Sequence, residues 1–173
     1  MAGERAGETA IGARPGRWTA AAGLARWLLG ALSLVGGLTW ILFTVHGPTA
    51  AVDLGVGLVL AAAGLVLLMP HRIRLPRRAT ALTMIGFALA GTAAGLLELT
   101  VRFGAYVYAA DRGWPFAWVE RAAIAENTAT AERLAGSANW AVDLVSLAAN
   151  LLLWAYAGLL VVVVAVLARR RRS

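Results

Sequence analysis

The chain has no cysteine and no lysine, and only two histidines, His46 and His71. Without cysteine there is no disulfide, thiolate metal site, cysteine nucleophile or S-linked lipid. Without lysine no Schiff base can form with retinal or pyridoxal. The histidines sit at opposite ends of one apolar segment, so a membrane would separate them and they could not ligate one haem. HExxH, GxSxG, a phosphate-binding glycine loop and zinc-type spacing are all missing. Ser33, Ser137 and Ser146 have no histidine near them in sequence and suit helix packing or loops. The sequence therefore predicts no catalytic residue, no cofactor and no metal ligand.

Apolar residues are plentiful. They make up 60% of 173 residues, with mean hydropathy +0.72, well above an ordinary soluble domain. All 16 basic residues are arginine, and the net charge is +7. These arginines flank apolar runs, as they do in membrane proteins, so nucleic acid is not expected as a partner. Residues 1–19 are polar and are expected to be disordered in the cytoplasm. From Trp27 to Val45 come 19 uncharged residues, too long for a signal-peptide core and suited to a retained anchor. Trp18, Trp27 and Trp40 would mark the two interfaces of that segment. The segments 20–45, 49–69, 79–101 and 140–168 each have the roughly 20 residues that span a bilayer. His46-Gly47-Pro48 separates the first pair, and the basic run 70–78 separates the second from the third.

Orientation follows from arginine counts. Four precede residue 27, four lie in 70–78 and four close the chain as 169–172, whereas the long polar loop balances its four with Asp111, Glu120, Glu126 and Glu132. The positive-inside rule then puts both termini in the cytoplasm and the loop outside. No inverted repeat is evident. The expected architecture is an all-α membrane protein of four transmembrane helices, with a basic tail at 169–173. The outer loop, 102–139, would hold short interfacial helices, one from Pro115 to about Ala125 and one from about Thr128 to Leu134 capped by Asn127.

Two constellations stand out. Asp53, Gly57, Ala61 and Gly64 share one helix face. So do Gly91, Gly95, Glu98 and Arg102, and so do Asp143, Leu147, Asn150 and Trp154. Small residues let helices approach closely in lipid. The stripes are therefore expected to face inward and to gather Asp53, Glu98, Arg102 and Asp143 into an outer-leaflet polar layer, with Asn150 deeper. The same layer could be an i, i+4 Glu98–Arg102 ion pair with two acids at helix N-termini, a cation, proton or polar-ligand site, or a docking surface for another membrane subunit. The second constellation is aromatic: Tyr106, Tyr108, Trp114, Phe116 and Trp118 crowd the outer loop. They could form a lid on the bundle or a surface for a lipid, a glycan or a protein partner.

The run Gly113-Trp-Pro-Phe-Ala-Trp118, followed by Trp140-x-x-Asp143 and Asn150-Leu-Leu-Leu-Trp154, resembles small uncharacterised multi-pass proteins of bacterial membranes. The resemblance spans about the last third of the chain. It implies a bacterial plasma membrane location and carries no activity with it. Two functions are expected to compete. One is a non-catalytic binding or accessory subunit, partnered by the bilayer and by another membrane subunit or a second copy. The other is a small transporter or ion-coupled protein using Asp53, Glu98 and Asp143.

Overall fold

A computed structural model describes residues 17–44, 50–69 and 75–172. Most of the disordered segment expected at 1–19, the His46-Gly47-Pro48 break and His71 lie outside the described residues. The elements are α1 (Arg17–Thr44), α2 (Ala50–Leu68), α3 (Arg77–Gly95), β1 (Leu99–Phe103), β2 (Val107–Arg112), β3 (Val119–Ile124), α4 (Thr128–Ser137), β4 (Ala141–Val142) and α5 (Leu144–Arg170). Three helices, α1, α2 and α5, are long and apolar enough to cross a membrane. The third long helix, α3, has a more polar sequence, with Arg77 and Arg78 in its first turn and three threonines along it.

The helices pack by bringing backbones together. A Cβ placed on Gly37 would lie 2.6 Å from the Gly57 carbonyl oxygen, and one on Gly64 would lie 2.5 Å from the Leu34 nitrogen. These contacts make α1 and α2 an antiparallel pair. Gly158 of α5 meets Thr83 and Phe87 of α3, and Gly91 of α3 meets Trp154 of α5, so α3 and α5 are also antiparallel. The core of the helical body is Ala63 of α2 with Tyr156, Leu159 and Val163 of α5. One buried polar contact ties α1 to α5: the hydroxyls of Ser33 and Tyr156 are 2.7 Å apart.

The region after α3 corrects the expectation of an all-α protein. Helix α3 stops at Gly95, six residues short of the expected end at Val101, and the cap Leu96 closes a tight turn onto Ala93. Leu99-Thr-Val-Arg-Phe103 then forms a strand instead of another helical turn. The segment expected as a helix from Pro115 to Ala125 is a turn followed by β3. The four strands form an antiparallel meander in the order β1-β2-β3-β4. Helix α4 does form, as expected, and the Asn127 side chain accepts the Thr130 N–H at 2.9 Å. It covers one sheet face with Ala131 and Ala135, packed on Tyr108 and Ala110. Sheet and helix together form a cap.

Candidate functional site

The β2–β3 turn fastens the cap to the helices. Gly113 takes φ +122°, a region open mainly to glycine, and Trp114-Pro115 is a cis peptide. Trp118 N–H returns to the Arg112 carbonyl at 3.0 Å, closing the turn. The residues between them project at the helical body. Asn150, fully buried in α5, donates from Nδ2 to the Phe116 carbonyl at 2.6 Å and accepts the Phe116 N–H on Oδ1 at 3.3 Å. A primary amide supplies both a donor and an acceptor, so it can satisfy both backbone groups of one residue. Phe116 also meets the Trp40 ring edge-on, with centroids 5.7 Å apart. Trp114 lies against Trp154 at 5.7 Å, and its backbone fills the notch left by Gly95.

Beneath Trp114 is a cavity of about 390 Å³ between α2 and α5. Its walls are Val52, Gly55 and Val56 on one side and Leu153, Trp154 and Ala157 on the other. This volume and apolar lining are typical of a small-ligand site. On the far side of Trp154, Gly86, Phe87 and Gly91 of α3 line a second apolar hollow. The indole of Trp154 thus stands as a partition, seated on Gly91, where any side chain would collide with it.

The five expected aromatics do not share one surface. Trp114 and Phe116 lie in the turn, against the helices. Trp118 closes that turn, with its indole N–H buried and unbonded. Tyr106 is exposed at the β1–β2 connection, and Tyr108 is buried under α4 with its ring 5.4 Å from Phe103. Sequence reasoning placed Trp40 at an interface and Trp154 on the Asn150 face, but missed that these two rings grip the turn from the helical side. The spacing Asn150-x-x-x-Trp154 was visible, but its partner 34 residues upstream was not.

The acidic layer is also rearranged. Arg102 lies on β1 and pairs with Asp111 of β2 at 2.5 Å, so the expected helical Glu98–Arg102 pair gives way to a cross-strand one. Asp111 is buried at 4% exposure, and it was not among the expected site residues. Glu98 is exposed just after α3, beside Leu97 and Trp114. Asp143 caps α5: Oδ1 accepts Val145 N–H at 2.8 Å and Ser146 N–H at 3.3 Å, and Oδ2 accepts the Ser146 hydroxyl at 2.6 Å. The hydrogen bond from the Ser146 side chain, aided by the two backbone N–H groups, holds its pKa below the usual 3.8. Asp53 is half-buried in the first turn of α2. Among the described residues no group of three His, Asp or Glu side chains is placed to hold a metal ion. Comparison with protein-family models, with curated proteins and with solved structures returned no match.

Proposed function

We propose that this is a multi-pass protein of the bacterial plasma membrane, with four spanning helices and both termini in the cytoplasm. Its role in this reading is non-catalytic: a binding or accessory protein that receives an apolar chain from the bilayer beneath an extracytoplasmic cap. The apolar cavity under Trp114 carries this reading. Its lining offers a chemical group nothing to react with, and suits an acyl or isoprenoid chain entering sideways from lipid.

Helix directions support the fourth span. α2 runs parallel to α5, and α1 and α3 run antiparallel to them. Any membrane crossed by α1, α2 and α5 would therefore also enclose α3. At ~1.5 Å per residue α3 is about as long as α2, near 28 Å. Leu82, Ile85 and Leu89 of α3 are exposed, as lipid-facing side chains would be. The three long apolar helices and the arginines that flank the apolar runs support a membrane location. The ion-coupled alternative draws less support, because Asp143 is occupied as a cap and the arginine expected beside Glu98 is held by Asp111.

The test uses a phospholipid with a photoactivatable diazirine in its acyl chain, added to membranes containing the protein. Crosslinks are expected on the α5 peptide holding Leu153 and Ala157. A Cβ on Gly55 has open space around it, so Gly55→Leu should fill the cavity without disturbing the helices. Crosslinking to that peptide should then drop several-fold while thermal stability is kept. Equal labelling of the variant would contradict the proposal.

A further inference from the structure

We propose that Arg112, Arg121 and Trp140 form a receiving site for a phosphate group, the anion that an acidic phospholipid headgroup presents. The sheet register creates the site. Ala110 pairs with Arg121 and Arg112 pairs with Val119, so the two arginines are diagonal neighbours on one face, about 7–8 Å apart and somewhat closer at Cβ. Val119 pairs with Val142 and Glu120 with Ala141. Continuing that register by one residue sets Trp140 opposite Arg121, on the same face. Both guanidiniums cover its ring, with carbons 5.5 Å (Arg112) and 4.5 Å (Arg121) from the centroid.

Two like charges are thus gathered on one indole without a counter-charge. Strand alternation sends the adjacent acids, Asp111 and Glu120, to the opposite face, where Asp111 pairs with Arg102. Every other strand residue on the arginine face, from Leu99 and Val101 to Ala110 and Val119, is uncharged. Among the described residues no carboxylate lies within ion-pair distance of either arginine. Arg112 spends one N–H on the Leu96 carbonyl at 3.4 Å, and the Nε of each is buried without an acceptor. The unbalanced charge favours an oxyanion, and guanidinium forks match phosphate oxygens two at a time.

Position selects the headgroup as the source. Arg112 touches the carbonyl that ends α3, and Trp140 stands three residues before the cap of α5. Leu97 and Leu144, 86% and 72% exposed at those same helix ends, offer apolar ground for acyl chains. Only this choice of source rests on the membrane placement proposed above; the phosphate chemistry does not.

The experiment is lipid retention by native mass spectrometry of the full chain in mild non-ionic detergent. Dioleoyl phosphatidylglycerol and dioleoyl phosphatidylcholine are offered separately, and inorganic phosphate is titrated against thermal stability in parallel. All proteins carry glutamine at the four tail arginines, Arg169 to Arg172, so that the tail cannot contribute. Phosphatidylglycerol should be retained over phosphatidylcholine, and Arg121→Gln should weaken that retention roughly tenfold, as expected for loss of a charge-assisted hydrogen bond. Trp140→Phe, which keeps a ring under the arginines, should retain most of it. Circular dichroism of each variant identifies one that has simply lost the sheet; Arg121→His then replaces it. If inorganic phosphate stabilises the protein as strongly as phosphatidylglycerol, and both effects depend on Arg121, the phosphate site stands and its source is a soluble ligand. Retention of phosphatidylglycerol unchanged in a folded Arg121 variant overturns the proposal.

Discussion

Asn150 is the residue on which the junction between cap and helices depends. Replacing it with leucine keeps the volume but leaves Phe116 N–H and C=O without partners in a buried place. We expect a loss of about 2–3 kcal/mol, read as thermal or denaturant unfolding in detergent. A loss under ~0.5 kcal/mol would mean that the turn is held by its rings alone. Asp143 tests a second anchor by pH. Its folded pKa lies below its ordinary 3.8, so its stabilisation is complete above that pH and fades as pH falls through the lower folded value. The stability gap between wild type and Asp143→Ala should therefore hold from neutral pH to about pH 5, then narrow below about pH 4. The residue types at both anchors were legible in the sequence: an asparagine inside an apolar helix needs partners, and an acid before a helix caps it. The partner of Asn150 was not, because it is a backbone group chosen by tertiary approach. Arg102 was misassigned for a related reason. Its helical spacing from Glu98 is real in sequence but void once the helix has ended at Gly95. A double-mutant cycle should find coupling of ~1 kcal/mol or less between Arg102 and Asp111, since the arginine is mostly exposed, and none between Arg102 and Glu98.

Among the elements, the long helices were readable and the sheet was not. Unbroken apolar runs bounded by arginine define a helix that can enter a bilayer whatever its partners. The strands are short and rich in alanine, and Val119-Glu-Arg-Ala-Ala-Ile124 has good helix formers in a β position. Its conformation comes from pairing with β2 and from the turn at Gly113, which overrides weak local preference. The legible sign was the alternation of apolar and polar residues in Leu99-Thr-Val-Arg-Phe103, with β-branched Thr100 and Val101 at its centre. The glycine stripes make a sharper prediction at this scale. A Cβ on Gly37 would strike the α2 backbone, whereas one on the adjacent Gly36 meets nothing within 4 Å. Gly37→Ala should thus cost about 1–3 kcal/mol by forcing α1 and α2 apart. Gly36→Ala should be neutral or stabilising by up to ~1 kcal/mol through helix propensity. Equal effects of the two would show that the α1–α2 face is not where these contacts place it.

For the whole molecule, the central proposal is that four helices cross a membrane and leave the cap of β1–β4 and α4 outside. The pairing of helix directions supports this, because α2 and α5 run the same way and a chain crossing only three times would have to run them oppositely. The absence of cysteine makes the question directly measurable. Single-cysteine variants at Glu132 on α4 and at Arg172 beyond α5, both exposed, are treated in intact cells with a membrane-impermeant maleimide and again after permeabilisation. Glu132→Cys should be labelled in intact cells, and Arg172→Cys only after permeabilisation. Labelling of Arg172→Cys in intact cells, or protection of Glu132→Cys until permeabilisation, would contradict the four-span arrangement.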